Sequence, residues 1–547
     1  MIHVNQVAYG TSMPKRAVIT TKGESCFIVS ALDNNDVFVP TISEPLFDKA
    51  SEDIVRILDF SELKKTGEYY LFADGLSKVF CISDEPYREL TNALVKGLYY
   101  QRCGCALKKE HAGQFSHGEC HLNKATLIHD AKTVIDVSGG WHDAGDYGRY
   151  VGPGAVTVGH MLYAYTMFPK AFGDELNIPE SGNGIADILN ECRYELEWIL
   201  KMQDNHGGFY HKVATRHFAP LFMMPENDKE ELLLFNVSHT ATATAAAALA
   251  LAYRIYQPID DEFAKKMLDS ALKAWDWLEE HPVFEPFENP PNVNSGEYGD
   301  SSGDDEIFWA ACELFAATNE PRFLDKVLEL ADKVDISKLG WQEVAGFGAL
   351  CCLFGSATMP IGIKKLDNGG YDSTLELKLH ERLIAVADDC LALCAKSGYC
   401  TALEEDGYIW GSILPIMSNA MILICAHILT GKESYKNAAQ AQLDYMLGIN
   451  ATGYSFVTGF GQNAFRNPHH RPSYSDGVDD PVPGLVSGGP NKQSPDLDCK
   501  RVVPQNIPSA KFYVDYVWTA SANEIAIYWN SPAIFVSSFF SACVAGK

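Results

Sequence analysis

The sequence predicts a mainly α protein, with a small β-sandwich over residues 1–84 followed by one large helical domain over 85–547. Three observations predict this. Residues 1–84 carry short runs of alternating apolar and β-branched residues between turn signals. From about residue 85 onward, apolar residues recur at helical spacing in stripe after stripe. Three long segments, 103–152, 281–304 and 451–512, break those stripes and are rich in Gly, Pro, Asn, His and aromatic residues.

The strand-like runs are IHVNQVAY, RAVITT, SCFIVSAL, DIVRILDF, GEYYLFA and KVFCIS, punctuated by Asn34-Asn35, Gly67 and Asp74-Gly75. An immunoglobulin-like sandwich is the natural arrangement for strands of this number and length. Cys26 and Cys81 are spaced widely enough to bridge such a sandwich, but the reading adopted is two reduced core thiols. In the helical part, Ile185, Ile188, Leu189, Cys192, Leu196 and Ile199 form one apolar stripe. Similar stripes occur near 86–102, 154–167, 239–256, 261–279, 305–317, 340–354, 377–396, 413–430, 434–447, 517–529 and 532–543. No fixed-length repeat accompanies them, which disfavours a solenoid. Paired helices in one large domain can instead close into a barrel of hairpins whose loops line a cleft. Long irregular loops are uncommon unless they do something, so the chemistry is expected in the three loops.

Bulk properties exclude several classes. The 547 residues hold 44 Lys and Arg against 71 Asp and Glu, a net charge of −27. That charge opposes binding to nucleic acid, which depends on basic contacts to phosphate, and to anionic membranes. No stretch of about 18 apolar residues suggests a membrane span. Met1 leads directly into IHVNQVAY without an export signal, and the fifteen cysteines are odd in number. A cytoplasmic protein with reduced thiols is the expectation.

The first loop ends in GGWHDAGDYGRY, residues 139–150. Asp143 and Asp146 stand three apart among Gly140, Gly145 and Gly148. An isolated D-x-x-D is usually a turn that caps a helix. Here Trp141, Tyr147 and Tyr150 add flat surfaces suited to sugar rings. A second carboxylate, Glu524, falls in FYVDYVWTASANEIAIYWNSP, on a predicted helix made largely buried by Ile525, Ile527 and Trp529. A Glu there either pairs with a basic residue or stays protonated as a general acid requires. Glycoside hydrolysis needs two such groups, one to protonate the leaving oxygen and one to activate water or attack the sugar.

Together these segments resemble glycoside hydrolase family 9, the family of many endoglucanases, over nearly the whole chain. DAGD stands intact at 143–146, and SFVTGFGQNAFRNPHHR at 455–471 is similar to the family's histidine signature. In the last signature Asp515, Glu524, Ala526 and Asn530 are in place, while Ala520 stands where the family usually has an aromatic, and Tyr528-Trp529-Asn530 replaces Asp-Tyr-Asn. The resemblance implies an (α/α)6 barrel and inversion at the anomeric carbon. It implies that Asp146 is the base that deprotonates water, that Asp143 orients the same water, and that Glu524 is the acid. Inversion would place acid and base roughly 6.5–9.5 Å apart. His469 and Arg471 would bind sugar hydroxyls, with Trp141, Tyr150 and Tyr513 as further sugar contacts, while His470 packs behind its loop.

Cys103, Cys120, His121 and His142 offer two thiolates and two imidazoles, a complete shell for structural zinc. Taken singly, each is a buried thiol or a hydrogen-bonded loop histidine. In the subgroup with the immunoglobulin-like module the corresponding positions bind zinc, and Cys105 is the less apt alternative to Cys103. A metal on His142 would steady the adjoining Asp143. Ser473, Asp476 and the Val478 carbonyl resemble a calcium site, whose simpler reading is an Asp-Gly turn.

The function expected is inverting hydrolysis of β-1,4-glycosidic bonds in β-glucans or cellodextrins. The alternative is an exo-acting β-glucosidase or exo-β-glucosaminidase on short oligosaccharides. A non-catalytic sugar-binding protein would not need all three carboxylates, and an enzyme eliminating uronic acids would need a basic cleft. The expected partner is a β-linked oligosaccharide or glucan, with neither nucleic acid nor membrane.

Overall fold

Alternation in residues 1–84 produces two packed sheets. The structure, a computed structural model, describes residues 1–545 except 24, 355–363, 366–370 and 373. In the first sheet Ile2–Val4 pairs with Arg16–Ile19, which pairs with Asp53–Asp59; Thr41–Ile42 and Leu46–Asp48 also pair with Asp53–Asp59. The second runs in the order Ala8–Gly10, Phe80–Ser83, Gly67–Ala73, Cys26–Ser30, Asp36–Phe38. Along Gly67–Ala73, Tyr69, Leu71 and Ala73 turn inward while their neighbours are more exposed. They join Tyr9, Ala17, Ile19, Ile28, Leu58 and Phe80 in a core between the sheets, the period-2 arrangement of a half-buried strand. Cys26 is buried, Cys81 is only partly so, and both are free thiols.

Two compact units make up the chain, and the first takes in residues on both sides of 84/85. The first comprises Met1–Gly97, Met167–Ile178 and Ala387–Lys547. Within it the sandwich is tied to helical segments by buried polar contacts. Asn5 Nδ2 donates to Asp444 Oδ1 at 2.8 Å, the Gln6 amide to the Leu447 carbonyl at 2.9 Å, and the Gly398 amide to Asp48 Oδ1 at 2.8 Å. The helix Ile413–Thr430 packs against Glu433–Met446 and Ile527–Ala545 and ends on Gly431 in the left-handed region, as helix C-termini favour. By length and composition it is apolar enough to cross a membrane, which the sequence reading did not anticipate. Its burial by the neighbouring helices of the same unit explains that composition.

The second unit comprises Leu98–Thr166 and Pro179–Val386. Asp187–Lys201 is helical with Ile188, Leu189, Cys192, Leu196 and Ile199 buried, while Ile185 precedes the helix. His239–Tyr256 begins at Ser238, whose Oγ accepts from the Ala241 amide. Its alanines let it pack closely against both Asp261–Glu280 and Asp304–Thr318. A small sheet that the sequence did not foretell runs in the order Asp130–Ile135, Ala125–Leu127, Leu233–Leu234, Lys212–Ala214, Arg149–Tyr150. Several of these strands are only two or three residues long, too short to show a period, and tertiary pairing creates them.

The last two predicted helices are also corrected. In place of 517–529 and 532–543 there is a short turn of helix, Ala520–Asn523, an extended stretch, and then one helix, Ile527–Ala545, containing Pro532. The stretch is extended because its backbone pairs elsewhere: the His469 amide donates to the Asn523 carbonyl at 2.8 Å and the Gly488 amide to the Glu524 carbonyl at 2.9 Å. Those long-range bonds outweigh local helix propensity.

Candidate active site

In the second unit, the turn 139–150 is built by backbone geometry that only certain residues allow. Gly140 has φ 76°, and a Cβ there would sit 2.6 Å from the Trp198 ring. Gly148 lies against Asp146 Oδ2, where a Cβ would approach to 2.8 Å, and its amide donates to that oxygen at 2.9 Å. The Asp143 amide donates to the Gly148 carbonyl, closing the turn. Gln101 Nε2 holds the His142 and Ala144 carbonyls, while buried Arg149 donates through Nη1 to the Val137 and Gly139 carbonyls at 2.7 Å. Both aspartates are buried.

Asp143 has two unlike oxygens. Oδ2 accepts a short hydrogen bond from the Tyr298 hydroxyl. Oδ1 is buried with no protein partner among the described residues. Burial pushes the Asp143 pKa well above the usual carboxylate range, and the neighbouring Asp146 charge adds to this, while the Tyr298 hydrogen bond opposes it. Sequence reasoning missed Tyr298. Its sole signal is its place in one of the three conspicuous loops; the chain adopts φ 48° there, uncommon for a non-glycine residue.

The aromatic residues expected as sugar platforms need correction. Trp141 is 1% exposed, with Nε1 on Glu191 Oε1 at 2.8 Å and its amide on Glu195 Oε2 at 2.7 Å. Tyr147 donates its hydroxyl to the Met223 carbonyl and packs on the rings of His121 and His142. Tyr150 is buried against Tyr298 with ring centroids 4.7 Å apart. These rings build the turn from behind and present no open face for stacking. Glu191 also takes a bidentate contact from buried Arg102, so the support behind Trp141 is itself charge-paired.

Beside the turn, the ligand atoms of Cys103, Cys120, His121 and His142 all lie within 4.8 Å of one another, and all four residues are buried. His121 Nε2 lies 3.4 Å from Asp228 Oδ2, while its Nδ1 is buried with no hydrogen-bond partner among the described residues. Burial opposes ionisation of the Cys103 thiol, but a hydrogen bond from the Cys120 thiol, then Arg149, His142 and His121, hold its pKa well below the usual value. A histidine steered by a carboxylate beside a partnerless ring nitrogen is the donor pattern of a metal site. These residues can hold a metal ion.

The first unit carries the remaining predicted residues. Glu524 is partly rather than fully buried, and lies in the extended stretch, its backbone bridged to His469. His469 Nδ1 donates to the Val517 carbonyl at 2.7 Å, which orients the ring. Asp515 accepts from the amides of Arg466 and Asn467 at 2.8 Å and from Asn523 Nδ2 at 2.9 Å, joining the histidine loop to the turn before Glu524. Tyr513 is 9% exposed and donates its hydroxyl to Asn523 Oδ1, so it braces that junction instead of offering a sugar-facing surface. His470 is buried, as expected, and caps the short helix Arg471–Ser475. Arg471 opens that helix and is 5% exposed. Ser473, Asp476 and Val478 share one turn: the Val478 amide donates to Asp476 Oδ1, and Asp476 Oδ2 is buried with no hydrogen-bond partner among the described residues.

The model for glycosyl hydrolase family 9 matches residues 87–537. The chain belongs to that family. The model for the cellulase N-terminal ig-like domain matches residues 1–78. A cellodextrinase from Butyrivibrio fibrisolvens is 38% identical, covering 98% of both chains. A metagenome-derived family 9 endoglucanase of solved structure superposes with a TM-score of 0.90 at 33% identity, covering 99% of each chain. A zinc-binding triple mutant of another family 9 endoglucanase superposes with a TM-score of 0.90 at 32% identity, covering 97% of this chain and 99% of its own. This family 9 chain is therefore a glycoside hydrolase of mainly α class, an (α/α)6 barrel preceded by an immunoglobulin-like sandwich.

Proposed function

We propose that the enzyme hydrolyses β-1,4-linked glucans with inversion, acting on short cellodextrins. Similarity to the B. fibrisolvens cellodextrinase over nearly the full length of both chains supports the substrate class. In this reading Asp146 takes a proton from water while Asp143 holds the same water. The water oxygen bonds to the anomeric carbon, and the glycosidic C–O bond breaks with its electron pair passing to the leaving oxygen. Glu524 donates a proton to that oxygen. Asp146 ends protonated and Glu524 ionised, and exchange with solvent restores both.

The observation that carries this reading is Asp143 Oδ1, a buried carboxylate oxygen without a partner among the described residues, three positions from Asp146, while Asp143 Oδ2 is fixed by Tyr298. Buried polar atoms are nearly always hydrogen-bonded, so a reacting water suits this acceptor. The test is the pair Asp146→Asn and Glu524→Gln. Each should remove cellodextrin hydrolysis while circular dichroism stays native, and full activity in either folded variant overturns the assignment. His469 and Arg471 fill the role of hydroxyl ligands beside the bond to be cut.

Cys103, Cys120, His121 and His142 would hold a structural zinc. Two thiolates and two imidazoles close its shell, leaving no position for substrate. Zinc would supply a rigid anchor for His142, the residue preceding Asp143. Calcium would be held by Ser473, Asp476 and the Val478 carbonyl. Asp476 Oδ2, buried without a partner among the described residues, is a hard oxygen donor of the kind calcium takes. Ser473 Oγ accepts from the Val482 amide and pairs with His470 Nδ1, which leaves it one lone pair.

A further inference from the structure

Lys212 is a buried cation with no salt-bridge partner among the described residues. Its Nζ is held by neutral acceptors from one stretch of the 281–304 loop: Asn289 Oδ1 at 2.6 Å, Gly296 O at 2.5 Å and Ser295 Oγ at 3.2 Å. Aromatic rings enclose it, with centroids at 4.4 Å for Phe235 and 5.6 Å for both Phe287 and Tyr150. An unpaired ammonium in such surroundings is expensive to keep, and an apolar residue would fill the space more cheaply. Burial pushes its pKa down to about 7, against the opposing pull of Asp146 and Glu297.

The position of this cation suggests what it does. Strand pairing sets Lys212 opposite Tyr150, four residues beyond Asp146. The stretch it grips leads, two residues past Gly296, to Tyr298, the residue at φ 48° whose hydroxyl reaches Asp143. A tyrosine in that backbone region persists only when its surroundings hold it. The flanking contacts are consistent with this: Glu297 Oε2 accepts from the Asn289 amide at 2.9 Å, and the Glu297 carbonyl accepts from His211 Nε2 at 2.8 Å.

We propose that Lys212 is a positioning residue for hydrolysis, an ammonium clamp on residues 289–296 that keeps the Tyr298 hydroxyl on Asp143. The proposal rests on the reading of Asp143 and Asp146 as the pair that holds the attacking water. Among the described residues the Lys212 ammonium donates to Asn289, Ser295 and Gly296 and to neither aspartate, and the clamp acts through Tyr298.

A double-mutant cycle tests it, with kcat and KM measured on cellotetraose for Lys212→Met, Tyr298→Phe and their combination. Lys212→Met should lower kcat by about tenfold or more while KM stays within about twofold, since sub-ångström placement governs the chemical step. In the Tyr298→Phe background the same substitution should cost almost nothing, because the hydroxyl it positions is gone. Multiplicative losses, or an unchanged kcat in Lys212→Met, overturn the clamp. Asn289→Ala removes one acceptor of the ammonium without touching the buried cation; it should show the same dependence on Tyr298, and it decides the matter if Lys212→Met does not fold. Asp146→Asn, assayed alongside, separates the two failures. Activity retained there defeats the reading of the carboxylates, whereas an inactive Asp146→Asn beside multiplicative losses defeats the clamp alone.

Discussion

Replacing Tyr298 by Phe deletes one oxygen and leaves the ring packed on Tyr150 and Trp341. The lost interaction is a hydrogen bond to a fully buried carboxylate. Hydrogen bonds to charged groups contribute about 1.5–3 kcal/mol. At about 1.4 kcal/mol per decade this corresponds to roughly 10- to 150-fold in kcat if the whole bond acts in the transition state. KM should change little, because the hydroxyl serves Asp143. The pH dependence has a definite sign. The Tyr298 hydrogen bond favours ionised Asp143 and opposes the upward push of burial and of Asp146. Without it the Asp143 pKa rises further, so a higher pH is needed to ionise the group. The acid limb of kcat should therefore move to higher pH, with the loss greatest in acid and partly recovered as pH rises. Initial rates on cellotetraose across the pH range measure both effects. A folded Tyr298→Phe enzyme with wild-type kcat and an unmoved acid limb refutes the assignment of Asp143 to the reacting water.

Glu524→Gln should abolish turnover of cellodextrins yet restore measurable rates on an aryl glycoside whose phenolate leaves without a proton; loss on both substrates alike counts against a general acid. Proton NMR of fresh product should show the α-anomer first, and an initial β-anomer would mean retention. Chelation should remove about one zinc per chain, lower the melting temperature and reduce kcat, since the metal would anchor His142 next to Asp143; a metal-free enzyme of full activity and stability argues against that anchor. Trp141→Phe should lower stability by about 1–3 kcal/mol with KM unchanged, because it strips a buried hydrogen bond from Glu191 and no sugar contact; a raised KM at unchanged stability would return Trp141 to the substrate.

Much of this protein was determined by sequence alone, where the information is local. The strand runs of residues 1–84 and the helix at Asp187–Lys201 follow from period-2 and helical spacing, because burial on one face imposes a fixed period. The turn 139–150 was legible because its glycines, aspartates and His142 are contiguous and their side-chain chemistry is narrow. Cys103, Cys120, His121 and His142 are irregularly spaced and were singled out as a set by the family resemblance, and they do converge in space.

What depends on distant partners was decided only by the tertiary structure. Tyr298 reaches Asp143 across 155 residues of chain, and nothing about an isolated tyrosine announces that contact. Glu524 sits in extended backbone despite helical neighbours, since its pairing with His469 and that of Ile525 with Ser487 supply hydrogen bonds that a local reading cannot count. Trp141, Tyr150 and Tyr513 have the composition of sugar platforms, but exposure is a property of packing, and packing buries all three. Lys212 is the sharpest case. In sequence it is one lysine among many surface cations, and only the folded chain surrounds its ammonium with neutral acceptors and aromatic rings beside the turn that carries Asp143 and Asp146. Periodicity and residue type travel with the chain, whereas burial and long-range pairing come into being only when it folds.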